Sequence, residues 1–356
     1  MIKKMMHMVL FWVVFQVLVP LDRLLAGLMA ETTDGRRVVT AKRRGTQSLA
    51  ARRTYFAPMR SSNWGELLLP VLYNFFEVGR ALRPTLREQM YMVMGSDRSK
   101  EENMGLGGIG TDAWDDYEMS GRKGMLDFDK GYLATYVHKE YPVTFEIERK
   151  LRDDDQYGVV AGTRARKMGI SAEQKMERDA VSVFNNAFDT NFAGPDGKPL
   201  VSTTHPKNGN KTGNLSNKGT DALSVENVEA ARIAMETTPD DAGNILGMVP
   251  DTILVPPGLR NTALQISGSE LNPTDANNAI NPEAGYRVVV WPYLTDSNNW
   301  FLIDSVWMRE SLKWYDRVPL QITLLSQSST EVAYEAYMRY SFGWDDWRWV
   351  YGNEVA

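Results

Sequence analysis

The chain of 356 residues contains no cysteine. Disulfides, thiolate nucleophiles and cysteine-based metal sites are therefore excluded. Histidine is scarce: His7, His138 and His205 are scattered, with no His-x-x-x-His or similar pairing. A histidine-rich zinc site is not expected from such spacing. No Gly-x-Ser-x-Gly elbow occurs, and the sequence places no acidic group to orient His205, so a serine-based hydrolase lacks its usual support. No internal repeat is visible. A net charge of −5 argues against a protein that holds nucleic acid by neutralising phosphates. What is present is 43% hydrophobic and 24% charged, an ordinary globular composition. The length suits one large domain or two ordinary ones.

The average charge hides a split. Residues 1–58 carry ten Lys/Arg and three Asp/Glu (Asp22, Glu31, Asp34), whereas the chain from Met59 onward is strongly acidic. Lys3 and Lys4 precede the uncharged run Met5–Leu21, and Ala26–Ala30 follows with small residues. That is the order of an export signal, although the run is shorter than the roughly 20 residues of a usual membrane span. Thr32–Arg53, rich in Arg, Thr, Gly and Ala, reads as disordered. Three readings stand: an export signal or anchor, a basic functional arm, and an over-extended start with the working protein beginning near Met59. The charge split favours the last.

From Trp64 the pattern is globular. Leu67–Val78 is an apolar run interrupted by Pro70, in helical phase to about Leu82 and broken by Pro84. Thr85–Met94 fits a short helix or a strand, and Ser96–Gly110 reads as loop. Thr111–Glu118 and Tyr132–Ile147 alternate in places, with glycine-containing Met119–Gly131 between them. They predict a long two-stranded hairpin reaching out of the body. An isolated hairpin is marginal in water, so it needs a partner surface, its own body or a neighbouring subunit.

Gln156–Phe188 predicts the main helix. Val160, Met168, Ala172, Met176, Ala180, Val183, Phe184, Ala187 and Phe188 form one buried stripe, and Glu173, Lys175, Glu177, Arg178 and Asp179 the outer face. Gly162 and Gly169 suggest a break near Gly169–Ser171, with Ser171 able to cap a second segment. Phe192–Asp221 is loop. Ser224 caps a helix to about Thr237, Thr252–Val255 is a short buried strand, and Pro257 opens a helix through about Ile266. Tyr286–Trp291 and Trp300–Asp304 are expected to pair across the turn Thr295–Asn299. Leu312–Leu325 and Thr330–Tyr340 are strands, followed by the aromatic tail Phe342–Trp349.

Candidates for chemistry are few. Gly105–Gly110 matches G-x-G-x-x-G, but the polar Lys100–Asn103 precedes it and no helix signal follows, so it reads as loop. Asp153–Asp155 with Glu148, and Asp345–Asp346, could gather a hard cation. The reading favoured for the first is a solvated helix start, and for the second a strand-end turn beside aromatic residues. His205 reads as a loop anchor and His138 as a packed hairpin residue. The tail tryptophans are either interface anchors or core. No catalytic, cofactor or metal residue is assigned. The candidate inter-subunit contacts are Trp114, Tyr117, Phe128, Tyr132, Tyr136, Trp344, Trp347 and Trp349.

Four stretches taken with the order of the elements carry a resemblance. They are Asp196-Gly197-Lys198-Pro199-Leu200 with His205-Pro206; Pro250–Pro257; Val288-Val289-Val290-Trp291-Pro292-Tyr293-Leu294; and Trp300–Asp304. From about Trp64 to Gly352 the chain resembles the major capsid proteins of tailed phages with the Hong Kong 97-type α+β fold. Within them it is similar to the Mu-like major head subunit family. The resemblance implies an N-terminal arm at 59–110 and an extended hairpin loop at 111–147 lying over a neighbouring subunit. It implies a peripheral domain at 148–221 carrying a long spine helix, an axial domain at 222–310, and return strands at 311–356.

It further implies a non-enzymatic subunit, without cofactor, that assembles with itself into pentamers and hexamers of an icosahedral shell. Scaffold, portal and head protease would be partners, and double-stranded DNA would be enclosed without sequence-specific binding. The implied location is the virion, with assembly in the bacterial host cytoplasm. An acidic wall suits DNA that is enclosed rather than gripped. Two alternatives remain: an encapsulin-like nanocompartment shell, and an exported or membrane-anchored enzyme whose signal is residues 1–30.

Overall fold

The computed structural model describes residues 64–82, 84–106, 130–148, 150, 154, 159–208, 212–241, 243–271, 280–328 and 330–356. The chain divides into Met1–Arg60 and Ser61–Ala356, and every described residue belongs to the second unit. The expectations for residues 1–58, for a strand at Thr111–Glu118, for Gly107–Gly110 and for Asp153 and Asp155 lie outside the described residues.

Helix α1 (Trp64–Arg80) runs through Pro70 and buries Leu72 and Phe76, one turn apart, against α3 (Val159–Asn185). α3 is unbroken, contrary to the expected interruption near Gly169. Its glycines serve close approach instead. A Cβ on Gly169 would lie 2.3 Å from the Phe76 carbonyl oxygen, and one on Gly79 of α1 would lie 2.2 Å from that of Arg166. The two helices touch backbone to backbone, and packing repays the weak helix propensity of glycine. Arg80 clamps the crossing by donating to Glu173 at 2.7 Å.

Thr85–Met94 resolves into both options, the single turn α2 (Arg87–Met90) and then strand β1 (Met92–Gly95). Four strands form one sheet in the order β1-β11-β12-β4, with β4 at Lys139–Glu148, β11 at Leu312–Gln327 and β12 at Glu331–Trp344. The ladder shifts register between Val318 and Gln321, around Pro319, which has no N–H to give. Pro142 is tolerated because β4 is an edge strand. Cross-strand aromatic pairs stack across this sheet: Tyr141 on Tyr340 at 4.7 Å, and Phe145 on Tyr334 at 5.4 Å.

A second sheet has the order β7-β13-β10-β8-β9. Its strands are β7 (Lys218–Gly219), β8 (Thr252–Val255), β9 (Arg287–Val290), β10 (Trp300–Ile303) and β13 (Val350–Asn353). The expected direct pairing of the 286–291 and 300–304 runs does not occur. β8 lies between them, parallel to β9 and antiparallel to β10. Every residue of β8 and β10 is buried. Phe301, Ile303 and Leu254 face the larger core with α3, while Trp300, Leu302, Ile253 and Val255 face a second core. A strand covered on both faces reads as an unbroken apolar run.

The second core is closed by α4 (Val225–Glu236) and α5 (Arg260–Gly268), the latter entered through the 3-10 turn Pro257–Leu259. Ser224 accepts from Asn227 N at 3.2 Å, and Val225, Val228, Ala231 and Met235 are buried, as the sequence expects. Helix α6 (Ser305–Ser311) was not expected. Asp304 caps it, accepting from Val306 N and Trp307 N and also from Val249 N. The loop after α3 holds the short pair β5 (His205–Pro206) and β6 (Asn214–Leu215).

Of the predicted hairpin only the second arm lies among the described residues. Strand β2 (Lys100–Leu106), in a stretch expected to be loop, pairs antiparallel with β3 (Lys130–Val137). The Tyr132–Ile147 run divides at His138, with β3 in this two-stranded ribbon and β4 in the four-stranded sheet.

Candidate inter-subunit surface

Of the eight candidate contacts, Trp114, Tyr117 and Phe128 lie outside the described residues. The other five are placed by their packing within the chain. Tyr132 is half-buried, and its hydroxyl donates to the carbonyls of Pro206 at 3.3 Å and Lys207 at 3.4 Å. Tyr136 is buried beside Tyr315, with its hydroxyl donating to Asp345. Burial, then the charge and hydrogen bond of Asp345, raise its phenol well above the ordinary range.

Trp344 packs on Phe192, and Gly194 admits its indole, which a Cβ there would meet at 2.5 Å. Trp347 stacks on His205 with ring centroids 4.0 Å apart. Trp349 is buried against Phe184, its indole N–H donating to the Asp346 carbonyl at 2.7 Å. The tail's large rings therefore fill the interior of this chain.

His205 anchors the polar loop through both ring nitrogens. Asn217 donates its amide hydrogens to the Leu200 and Val350 carbonyls, so its oxygen, which accepts from Ser202 N, also accepts from His205 Nε2 at 3.1 Å. His205 Nδ1 faces Asp196 Oδ2 at 2.6 Å. Both ring nitrogens face oxygen partners, and the fully buried ring, hydrogen-bonded to Asp196 and Asn217 and stacked on the Trp347 indole, ties loop to tail. Asp196 is thus the orienting acid that sequence spacing did not reveal. Nε2, however, meets an amide rather than a nucleophile.

An open cleft of about 560 Å³ lies between the ribbon base, this loop, α6 and the tail. Most of its carboxylates are used as ties. Asp241 and Asp346 both hold Arg348, at 2.6 and 2.8 Å, Asp345 holds Lys313, and Asp240 accepts from Asn244 N. Asp345–Asp346 is the strand-end turn that one reading expected, since Asp346 also accepts from Trp347 N and Arg348 N. Among the described residues, no three metal-binding side chains gather. No helix among them is long and apolar enough to cross a membrane.

Sequence reasoning missed two features. Glu177, assigned to the outer face of α3, is buried, accepting from Arg87 N at 2.9 Å and Trp291 Nε1 at 3.0 Å. Burial raises its pKa from the ordinary carboxyl value. The second is apolar exposure. Val71, Phe75 and Val78 of α1, and Leu82 just past its end, are each more than 40% exposed at helical spacing. On the ribbon, Met104 and its cross-strand partner Leu133 are exposed, with Val137 on the same face. The signal was present: α1 is apolar on two sides, and one helix face cannot bury both.

No curated protein matches the chain. Among solved structures, it is similar to the cyanophage P-SCSP1u capsid, with 12% identity over 77% of this chain and 89% of that one and a TM-score of 0.49. Microbacterium phage Oxtober96 aligns at 12% identity over 77% and 92%, with a TM-score of 0.48. The capsid of bacteriophage JBD30, decorated with minor capsid protein trimers, aligns at 20% identity over 60% and 92%, with a TM-score of 0.46. The profile described as phage capsid protein matches residues 134–353, from the ribbon strand β3 through the last strand β13. That span is more than half of the chain and takes in the five-stranded sheet and all of the four-stranded one except β1, and the chain belongs to the phage capsid protein family.

Proposed function

We propose that the chain is the major head subunit of a tailed phage, of the Hong Kong 97 type and the Mu-like group, closing with copies of itself into a shell of pentamers and hexamers. The carrying observation is the family match across residues 134–353. Double-stranded DNA is enclosed without sequence-specific contact, and scaffold, portal and head protease act during assembly in the host cytoplasm. The acidic body agrees with enclosure rather than grip. In this reading the β2–β3 ribbon is the base of the extended loop, α3 the spine of the peripheral domain, and α4, α5 and the 252–303 strands the axial domain. Subunit contacts fall on Trp114, Tyr117, Phe128 and Tyr132, and on the exposed α1 stripe and ribbon face. A subunit with two different uncovered apolar patches suits head-to-tail contacts, which close rings. Sedimentation of the full chain, alone and with scaffold, tests this. Megadalton particles or capsomers are expected, and a monomer or dimer at all concentrations would overturn it.

A further inference from the structure

His138 is the single residue between β3 and β4, where the ribbon leaves the four-stranded sheet. It is buried, and each ring nitrogen meets a serine hydroxyl: Nε2 lies 3.1 Å from Ser96 Oγ, and Nδ1 lies 3.0 Å from Ser341 Oγ. The hydrogens can be assigned. Ser96 Oγ donates to Glu101 Oε1 at 2.7 Å. An ionised carboxylate only accepts, so the one hydroxyl hydrogen of Ser96 is committed and its oxygen accepts from His138 Nε2. Nδ1 is then bare and accepts from Ser341. The neutral ring, in one tautomer, joins the segment after β1, the ribbon strand β2 (through Glu101) and the sheet strand β12 (through Ser341).

The charges around the ring are mixed. Arg339 of β12 and Arg317 of β11 oppose an imidazolium, and Glu101 of β2 favours one. Glu101 also has Arg98 at 3.7 Å, and Arg339 has Glu140 of β4 at 3.6 Å. We propose that His138 is a proton-sensitive clasp: neutral, it holds the β2–β3 ribbon to the sheet, and a proton added at Nδ1 turns the Ser341 hydroxyl from donor to acceptor and sets a buried positive charge beside Arg339 and Arg317, which loosens the ribbon. The proposal rests on the fold and on no assembly property.

Burial foremost, then Arg339, lowers the His138 pKa from 6.5. The contribution of the clasp is therefore fully present above pH 6.5 and is lost as pH falls through the depressed native value. Hydrogen exchange of the full chain between about pH 7.5 and pH 5 reads it, with protection factors corrected for intrinsic rates. Protection of 100–106 and 130–137 should fall, by up to about tenfold per pH unit for one proton. Protection of α4 and β8 should hold. His138→Gln offers an amide donor and a C=O acceptor but takes no proton, so its ribbon should show no pH trend. A flat wild-type ribbon, or the same trend in His138→Gln, would overturn the clasp. If that variant does not fold, the ¹⁵N titration of His138 decides: its midpoint must coincide with the loss of ribbon protection, and a separate midpoint overturns the proposal.

Discussion

Replacing Gly169 with alanine sets two physical effects against each other. In an exposed helix interior, Gly→Ala stabilises by about 1 kcal/mol. At Gly169 the new Cβ would lie 2.3 Å from the Phe76 carbonyl oxygen and 3.1 Å from Arg80 N, both backbone atoms of α1. Backbone cannot swing aside as a side chain can, so α1 must move off α3. That movement loosens Leu72 and Phe76 in the larger core and lengthens the Arg80–Glu173 contact. Overpacking of this kind costs about 1–3 kcal/mol, which outweighs the propensity gain. Denaturant unfolding of the unassembled subunit measures the net, and thermal melting should fall by about 2–4 °C per kcal/mol. Gly268→Ala is the control. Gly268 ends α5 with nothing within 4 Å, so that change should be neutral or slightly stabilising. A Gly169→Ala protein as stable as wild type, or more so, would refute the close crossing.

Glu177→Leu strands two buried donors, Arg87 N–H and the Trp291 indole, and should cost about 2–4 kcal/mol in chemical unfolding, while Glu177→Gln, which keeps an acceptor, should cost less. Asp196→Asn disturbs the buried 2.6 Å hydrogen bond to His205 and should destabilise by about 1–3 kcal/mol. Tyr334 donates to the Gly65 carbonyl, and burial pushes its phenol up to about 12. Its stabilising share is present below pH 10 and lost as pH rises through about 12, so alkaline unfolding of Tyr334→Phe should be the shallower.

Local patterns were legible where one element decides its own structure. The Ser224 cap and the inner face of α4 follow from hydrogen bonding and helical period. The apolar runs at 252–255 and 300–304 announce strands, and the structure adds that both are buried on both faces. Pairing was not legible, because no residue of the 286–304 stretch says that β8, some thirty positions earlier, inserts between its strands. The glycines of α3 were read as weak points since their partner, the backbone of α1, is distant in sequence. Glu177 looked solvated because its two donors come from α2 and from the residue after β9. Likewise, no spacing rule could bring Asp196 to His205 across a loop. The strand Lys100–Leu106 was hidden by its polar composition, which suits a ribbon with little core to cover.

Electron cryomicroscopy of particles formed by the full chain, with scaffold supplied if needed, would show how copies of the subunit meet. Closed or partly closed shells with five- and six-fold capsomers are expected, into whose subunit density the described core and both sheets fit, with the α1 stripe and the ribbon face covered by neighbouring copies. A monodisperse small oligomer with those two apolar faces still open to solvent would contradict that expectation.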